Sequence, residues 1–186
     1  DQQKNVIYLR PVVAWSATDE FTVSAGMESN VINNAYGYTN GQGQFVDQSD
    51  RTGYGLTMTW NGLKNDSDNG VVINANTAYL DADNEKDFTA AANILWKRFE
   101  LGYIYAHNKV DDYAGVVCDN DCWINDEGTY DIHTFHTSYQ FANVMDMQNF
   151  NIYLGAYYSI LDSDVQANMS DDDDRYGARV RFKYLF

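Results

Sequence analysis

Residues 175–184 alternate without a break between two kinds of side chain, and Phe186 continues the apolar one. Tyr176, Ala178, Val180, Phe182, Tyr184 and Phe186 fall on one face, and Arg175, Gly177, Arg179, Arg181 and Lys183 on the other. Successive Cβ atoms of an extended chain point to opposite sides, so this pattern specifies a strand with one apolar and one cationic face. An ordinary strand needs about five or six residues. This one is long enough to cross a bilayer at a tilt.

The same period recurs along the chain, in Ile7–Trp15, Phe21–Glu28, Tyr54–Trp60, Val71–Tyr79, Phe88–Trp96, Phe99–Asn108, Phe135–Phe141 and Phe150–Tyr158. No segment carries a helical period, and no apolar run approaches the ~18 residues of a transmembrane helix. Aromatic residues make up 15% of the 186-residue chain, too much apolar ring surface for a disordered one. Many of them stand near strand ends: Trp15, Trp60, Tyr79, Trp96, Phe99, Phe141, Phe150 and Phe186. Rings at both ends of an apolar band are the interfacial girdles of a membrane barrel. The expected fold is therefore all-β, a transmembrane up-and-down antiparallel β-barrel forming one domain over residues 1–186. Nine segments read directly. A tenth, Tyr36–Val46 after a turn at Asn33–Asn34, makes the number even; eight or twelve strands are the alternatives.

The connections alternate in length. Asn61–Asn69, the corner Trp96–Phe99 and Ala142–Met147 are short, whereas Asp111–Tyr130 and Leu161–Asp174 are long and acidic. With the C-terminus in the periplasm, the short turns fall inside and the long loops outside, with Asp81–Asp87 a short exception among the outer ones. The chain opens on Asp1 without a basic, apolar leader, so a targeting segment is expected to have been removed or the chain trimmed. Cys118 and Cys122 have no metal-ligand partners at suitable spacing and are expected to pair as a loop disulfide in an oxidising compartment.

A formal net charge of −15 excludes a general nucleic-acid partner. Its distribution is more informative than its sum. Lys4, Arg10, Arg51, Lys97, Arg98, Arg175, Arg179, Arg181 and Lys183 fall on the expected strands, whereas Glu28 and Glu100 are the acids placed clearly within them. The polar face is thus expected to be basic, with acidic connections. Arg175, Arg179, Arg181 and Lys183 form a ladder of weak anion sites lining a passage, with Arg10, Arg51 and Arg98 elsewhere on it. Tyr8, Tyr153 and Tyr157 on the same face are placed to stack on sugar rings. The alternative is a filled, non-conducting barrel in which Glu28 and Glu100 neutralise the ladder.

The ending Arg179-Val-Arg-Phe-Lys-Tyr-Leu-Phe186 resembles the C-terminal assembly signal of Gram-negative outer-membrane β-barrels, with a terminal Phe preceded by alternating aromatics. The cationic last strand and strand–turn–strand units such as Tyr54–Tyr79 resemble the oligogalacturonate-specific family of small monomeric porins for acidic oligosaccharides. That family carries two facing arginine tracks on twelve strands; this chain shows one track and scattered partners. The resemblance implies an outer-membrane location in a Gram-negative bacterium, contact with outer-membrane lipid and lipopolysaccharide, and passive diffusion of small anionic or sugar-like solutes, with no enzyme activity, cofactor or resident metal.

Other readings are weaker. His136-Thr-Ser138 resembles the His-x-Ser pair of outer-membrane lipid A deacylases, but Tyr139 replaces the Asn that follows, and both side chains turn away from lipid. His107 with Asp111 and Asp112 suggests the acid-and-His site of outer-membrane proteases. Asp66-Ser-Asp68-Asn-Gly70 and Asp119-Asn-Asp121 have alternating carboxylates that suit Ca²⁺, though solvated turns account for them. A structural or adhesive barrel would act through its acidic outer loops, with Trp123 and Ile124 displayed beside the cysteines, or as part of an envelope complex. A soluble sandwich or lipocalin-like binder has no use for the terminal aromatic signal.

Overall fold

The structure, a computed structural model, describes residues 9–29, 37–39, 45–47, 51–82, 85–110, 128–165 and 172–184. Nine strands form one antiparallel sheet in which each strand pairs with the next along the chain. They are β1 (Val12–Ser16), β2 (Phe21–Ser29), β5 (Arg51–Asn61), β6 (Val71–Ala82), β7 (Glu85–Trp96), β8 (Phe99–Val110), β9 (Gly128–Phe141), β10 (Phe150–Val165) and β11 (Asp172–Tyr184). This is the up-and-down meander of a β-barrel, and among the described residues its helical content is two 3₁₀ turns, Gly62–Lys64 and Val144–Asp146.

The expected tenth strand is not part of this sheet. β2 pairs directly with β5, Phe21 opposite Trp60 through to Ser29 opposite Thr52. The segment between them contributes a separate short hairpin, β3 (Gly37–Thr39) and β4 (Phe45–Asp47). A connection leaving and re-entering the sheet at the same end must hold an even number of crossings, so a lone strand cannot fit there.

The strands also run further than alternation suggested. β10 continues to Val165 and β11 begins at Asp172, so most of the segment read as a long acidic loop is paired strand. β9 likewise starts at Gly128, ahead of Asp131. Asp81, Glu85, Asp87, Asp131, Asp162, Asp164, Asp173 and Asp174 are therefore strand residues, which corrects the picture of acids confined to connections. Beyond a bilayer both faces of a strand meet water, so hydrogen bonding continues while the apolar alternation stops. Lys97 and Arg98, counted as strand cations, form the two-residue turn between β7 and β8, with Lys97 at φ 54°.

The short turns gather at one end and are fixed by their own side chains. Thr18 Oγ1 accepts the backbone N–H groups of Glu20 and Phe21 at 3.2 and 3.1 Å. Asn61 Oδ1 accepts Leu63 N–H at 3.2 Å, and Asp66 Oδ1 accepts those of Asp68 and Asn69 at 3.0 and 2.9 Å. Asn143 Oδ1 takes Asn149 N–H at 3.1 Å. Local acceptors of this kind hold a hairpin's register without a core.

A core is what the sheet lacks. Among the described residues Val110 is the one buried large hydrophobic side chain, whereas Tyr176 is 84% exposed and Phe182 66%. Many of the exposed apolar residues share one face: Leu56 and Trp60 on β5, Ile94 and Trp96 on β7, Leu101 on β8, Leu154 on β10, Val180 and Phe182 on β11. Rings crowd the short-turn end at Trp60, Trp96, Phe99, Phe141, Phe150 and Tyr184, and the opposite end at Tyr54, Tyr79, Phe88 and Tyr158. Phe88 to Trp96 is eight residues, roughly 27 Å along the strand. A surface this apolar, bounded by rings, is stable only against lipid. The second sheet among the described residues is the two-stranded β3–β4 hairpin, far smaller than this face.

Candidate functional site

The other face of the sheet is polar, and its side chains are tied across strands. Thr59 Oγ1 donates to Asn74 Oδ1 at 3.0 Å, Gln140 Nε2 to Asn151 Oδ1 at 3.2 Å, and the Thr134 and Ser159 hydroxyls lie 2.8 Å apart. Within it the β10–β11 wall brings together most of the residues singled out from sequence. Register sets Ser159 opposite Arg175, Tyr157 opposite Gly177, Gly155 opposite Arg179, Tyr153 opposite Arg181 and Asn151 opposite Lys183. Four cations and two tyrosines thus share one continuous polar strip.

Tyr157 does not stand up from this strip. A Cβ built on Gly177 would meet Cε1 of the Tyr157 ring at 2.6 Å and its hydroxyl at 2.8 Å. The ring therefore lies across β11 in the space a side chain at position 177 would need. That places it between the positions of Arg175 and Arg179, the next residues on the same face. On the other side His136 does the same, its ring filling the place of a Cβ on Gly102. The row Gly102–His136–Tyr157–Gly177 is thus two rings flanked by two glycines, each ring laid outward onto its glycine. Neither glycine was singled out from the sequence. Only the register shows that each stands opposite a ring.

The ladder divides by depth. Arg175 Nε is 2.8 Å from Asp173 Oδ2 on its own strand. Among the described residues no carboxylate lies within ion-pair distance of Arg179, Arg181 or Lys183, which are exposed. The two acids expected to neutralise the ladder in a filled barrel have other partners. Glu28 Oε1 is 2.8 Å from Arg10 Nη2. Glu100 accepts from Asn93 Nδ2 at 2.6 Å and from Ser138 Oγ at 3.0 Å, with His136 Nε2 at 3.7 Å. Glu100 shares a row with Arg179, but β9 and β10 intervene.

Successive ladder positions are ~7 Å apart along the strand. Like charges at that spacing repel by about 0.6 kcal/mol per pair in water, and about four times as much at an effective dielectric of 20. An uncompensated ladder is therefore cheap beside water and costly in a packed, dry interior.

The remaining sequence candidates lie elsewhere. Arg10 and Arg51 are on the same polar face but at the long-connection end, Arg51 with Glu85 at 4.0 Å. Arg98 is in the short β7–β8 turn and not on a strand. Tyr8, Cys118, Cys122, Asp111, Asp112, Asp119, Asp121, Trp123 and Ile124 lie outside the described residues. His136 and Ser138 face the polar side as expected, but each meets Glu100 rather than the other, so the direct His–Ser hydrogen bond of that pair is not formed. His107 pairs with Asp131, Nδ1 to Oδ1 at 2.8 Å, on the apolar side of the sheet opposite Phe88. Tyr105 donates to the same Asp131 oxygen at 2.6 Å. The Asp66 carboxyl is held below the ordinary carboxylate range by the backbone N–H of Asn69 and then that of Asp68. Its oxygen closes a turn, which is the structural account of that motif.

A family model described as porin-like glycoporin RafY matches the chain over residues 1–186. Comparison with curated proteins and with solved structures gives no match.

Proposed function

We propose, on the premise that this chain belongs to the porin-like glycoporin RafY family, that it is a passive pore for small anionic or sugar-like solutes whose path runs along the β10–β11 wall. A porin lies in the outer membrane of a Gram-negative bacterium, and the apolar face of the sheet suits that setting. The observation that carries the solute preference is the ladder Arg179, Arg181 and Lys183, which has no carboxylate partner among the described residues. Guanidinium groups spaced along a wetted wall offer an anion successive weak bidentate sites, none deep enough to hold it. Tyr157, laid flat beside Arg179, presents ring surface against which a sugar can slide.

Refolded protein in planar bilayers under a salt gradient tests this. The wild type is expected to open discretely with a reversal potential on the anion side, and Arg179→Ser with Arg181→Ser to move it toward zero or past it. An unchanged reversal potential in the double variant removes the ladder's role. A folded protein without conductance favours the filled barrel, acting through its outer loops or within an envelope complex.

A further inference from the structure

The face that carries the ladder is not polar throughout. Toward the long-connection end, register sets Ala106 opposite Ile132 and Ile132 opposite Leu161, and in the next row on that face Ala91 opposite Ile104. Ile104, Ile132 and Leu161 are half-buried, so part of each stays open on a face that elsewhere carries cross-strand hydrogen bonds. Thr134 and Ser159 complete the second row, and their hydroxyls, 2.8 Å apart, bond to each other. Asp173 borders the patch opposite Leu161, with its charge compensated by Arg175 at 2.8 Å. The third row is the pair of flat rings, His136 and Tyr157, and the fourth brings Arg179 opposite Gly155. Leu161 to Gly155 is six residues, about 20 Å along β10. Aliphatic side chains, then ring faces, thus lead down one wall to Arg179.

A wall that passes only hydrated solutes gains nothing from branched aliphatic side chains, and the hydroxyls of a sugar find no partner on them. An inorganic anion uses the arginines and not the patch. A carboxylate with an apolar body uses both. Its body sheds water on the patch and on the Tyr157 ring, while its head meets Arg179, a cation with no carboxylate partner among the described residues. We infer that this track is a binding site for monocarboxylates with an aryl or short alkyl body, which lie on Ile104, Ile132 and Leu161 and pass over Tyr157 with the carboxylate toward Arg179. The inference rests on the pore reading for the direction of travel and narrows its anionic solutes to one class, whereas binding itself does not require conduction.

The test compares 3-phenylpropanoate with acetate as blockers of the chloride current through the refolded full chain in planar bilayers. Phenylpropanoate is expected to halve the current at a concentration about tenfold or more below that of acetate, as burial of part of a phenyl ring implies. Ile132→Asn with Leu161→Asn should bring the two acids within about twofold of each other and leave the chloride reversal potential where it was. Ile104→Thr, which keeps the branched shape, should reduce the difference in the same direction if the double variant does not fold, with heat-modifiable migration as the check on folding. Arg179→Ser with Arg181→Ser should weaken both acids together. Equal block by the two acids in the wild type, or a difference that survives in the folded patch variants, overturns the track. Equilibrium dialysis of labelled phenylpropanoate against protein in phospholipid vesicles separates this inference from the pore reading. In a folded protein that never conducts, greater uptake by wild type than by the patch variants keeps the site and sinks the pore, and equal uptake sinks the site.

Discussion

At the scale of single residues, the same amino acid does two opposite things on the polar face. Gly177 and Gly102 give up their side-chain space to the rings of Tyr157 and His136, whereas at Gly53 and Gly55 a Cβ would make only ordinary contacts. Sequence spacing cannot separate these cases, because it fixes which face a glycine takes but not what stands opposite. The consequence is testable by alanine. Gly177→Ala and Gly102→Ala must displace a ring and should each cost about 1–3 kcal/mol in urea unfolding. Gly53→Ala, where a Cβ makes ordinary van der Waals contacts, the nearest at 3.8 Å, should be close to neutral. Equal losses at all three positions would mean the rings are not packed as described. A second residue-scale prediction concerns Asp66 in the short β5–β6 turn. Its folded pKa lies below the unfolded value, so its contribution is present above the unfolded pKa and is lost as pH falls through the folded one. Carboxyl NMR should place its midpoint below that of a free aspartate. Asp66→Asn, which keeps an acceptor oxygen but cannot titrate, should remove that part of the acid sensitivity.

At the scale of the element, β11 shows how far a pattern can be read. Its two faces were legible because Tyr176 to Tyr184 and Arg175 to Lys183 alternate through a span that must separate lipid from water. The strand's first residues were not, since Asp172–Asp174 extend it into water, where neither face selects apolar residues and the period disappears. The same blindness hid the starts of β7 and β9 and the end of β10. It also made the polar face look more uniformly basic than it is, because Asp173 sits on it and holds Arg175. The ladder therefore has a neutralised outer rung and three inner rungs without such a partner among the described residues. Asp173→Asn should release Arg175 and shift the reversal potential further toward anions, opposite in sign to the Arg179→Ser, Arg181→Ser pair. A shift in the cation direction would show that Asp173 does not set the charge of that rung.

At the scale of the whole molecule, the sheet inverts the usual arrangement: its large apolar side chains are its surface, and its cross-strand polar network lies on the opposite face. Nine strands of alternating direction leave β1 and β11 running the same way, and antiparallel closure calls for an even number, so parity constrains the barrel even where pairing of its edges is not described. The inversion makes a prediction that no soluble fold shares. Leu101 is 54% exposed, and in a soluble protein an exposed Leu→Arg change is worth within about 0.5 kcal/mol either way. Here Leu101 faces lipid between the ring-bearing ends of its strand, so Leu101→Arg should cost about 2–4 kcal/mol in phospholipid vesicles. Asn76 is also exposed but faces the polar side, opposite Thr57 and Ala91. Asn76→Arg should therefore cost much less. Urea titration of both variants in vesicles, followed by tryptophan fluorescence, reads the difference directly. Equal, small effects would mean that the apolar face does not meet lipid, and the assignment of inside and outside would fail with it.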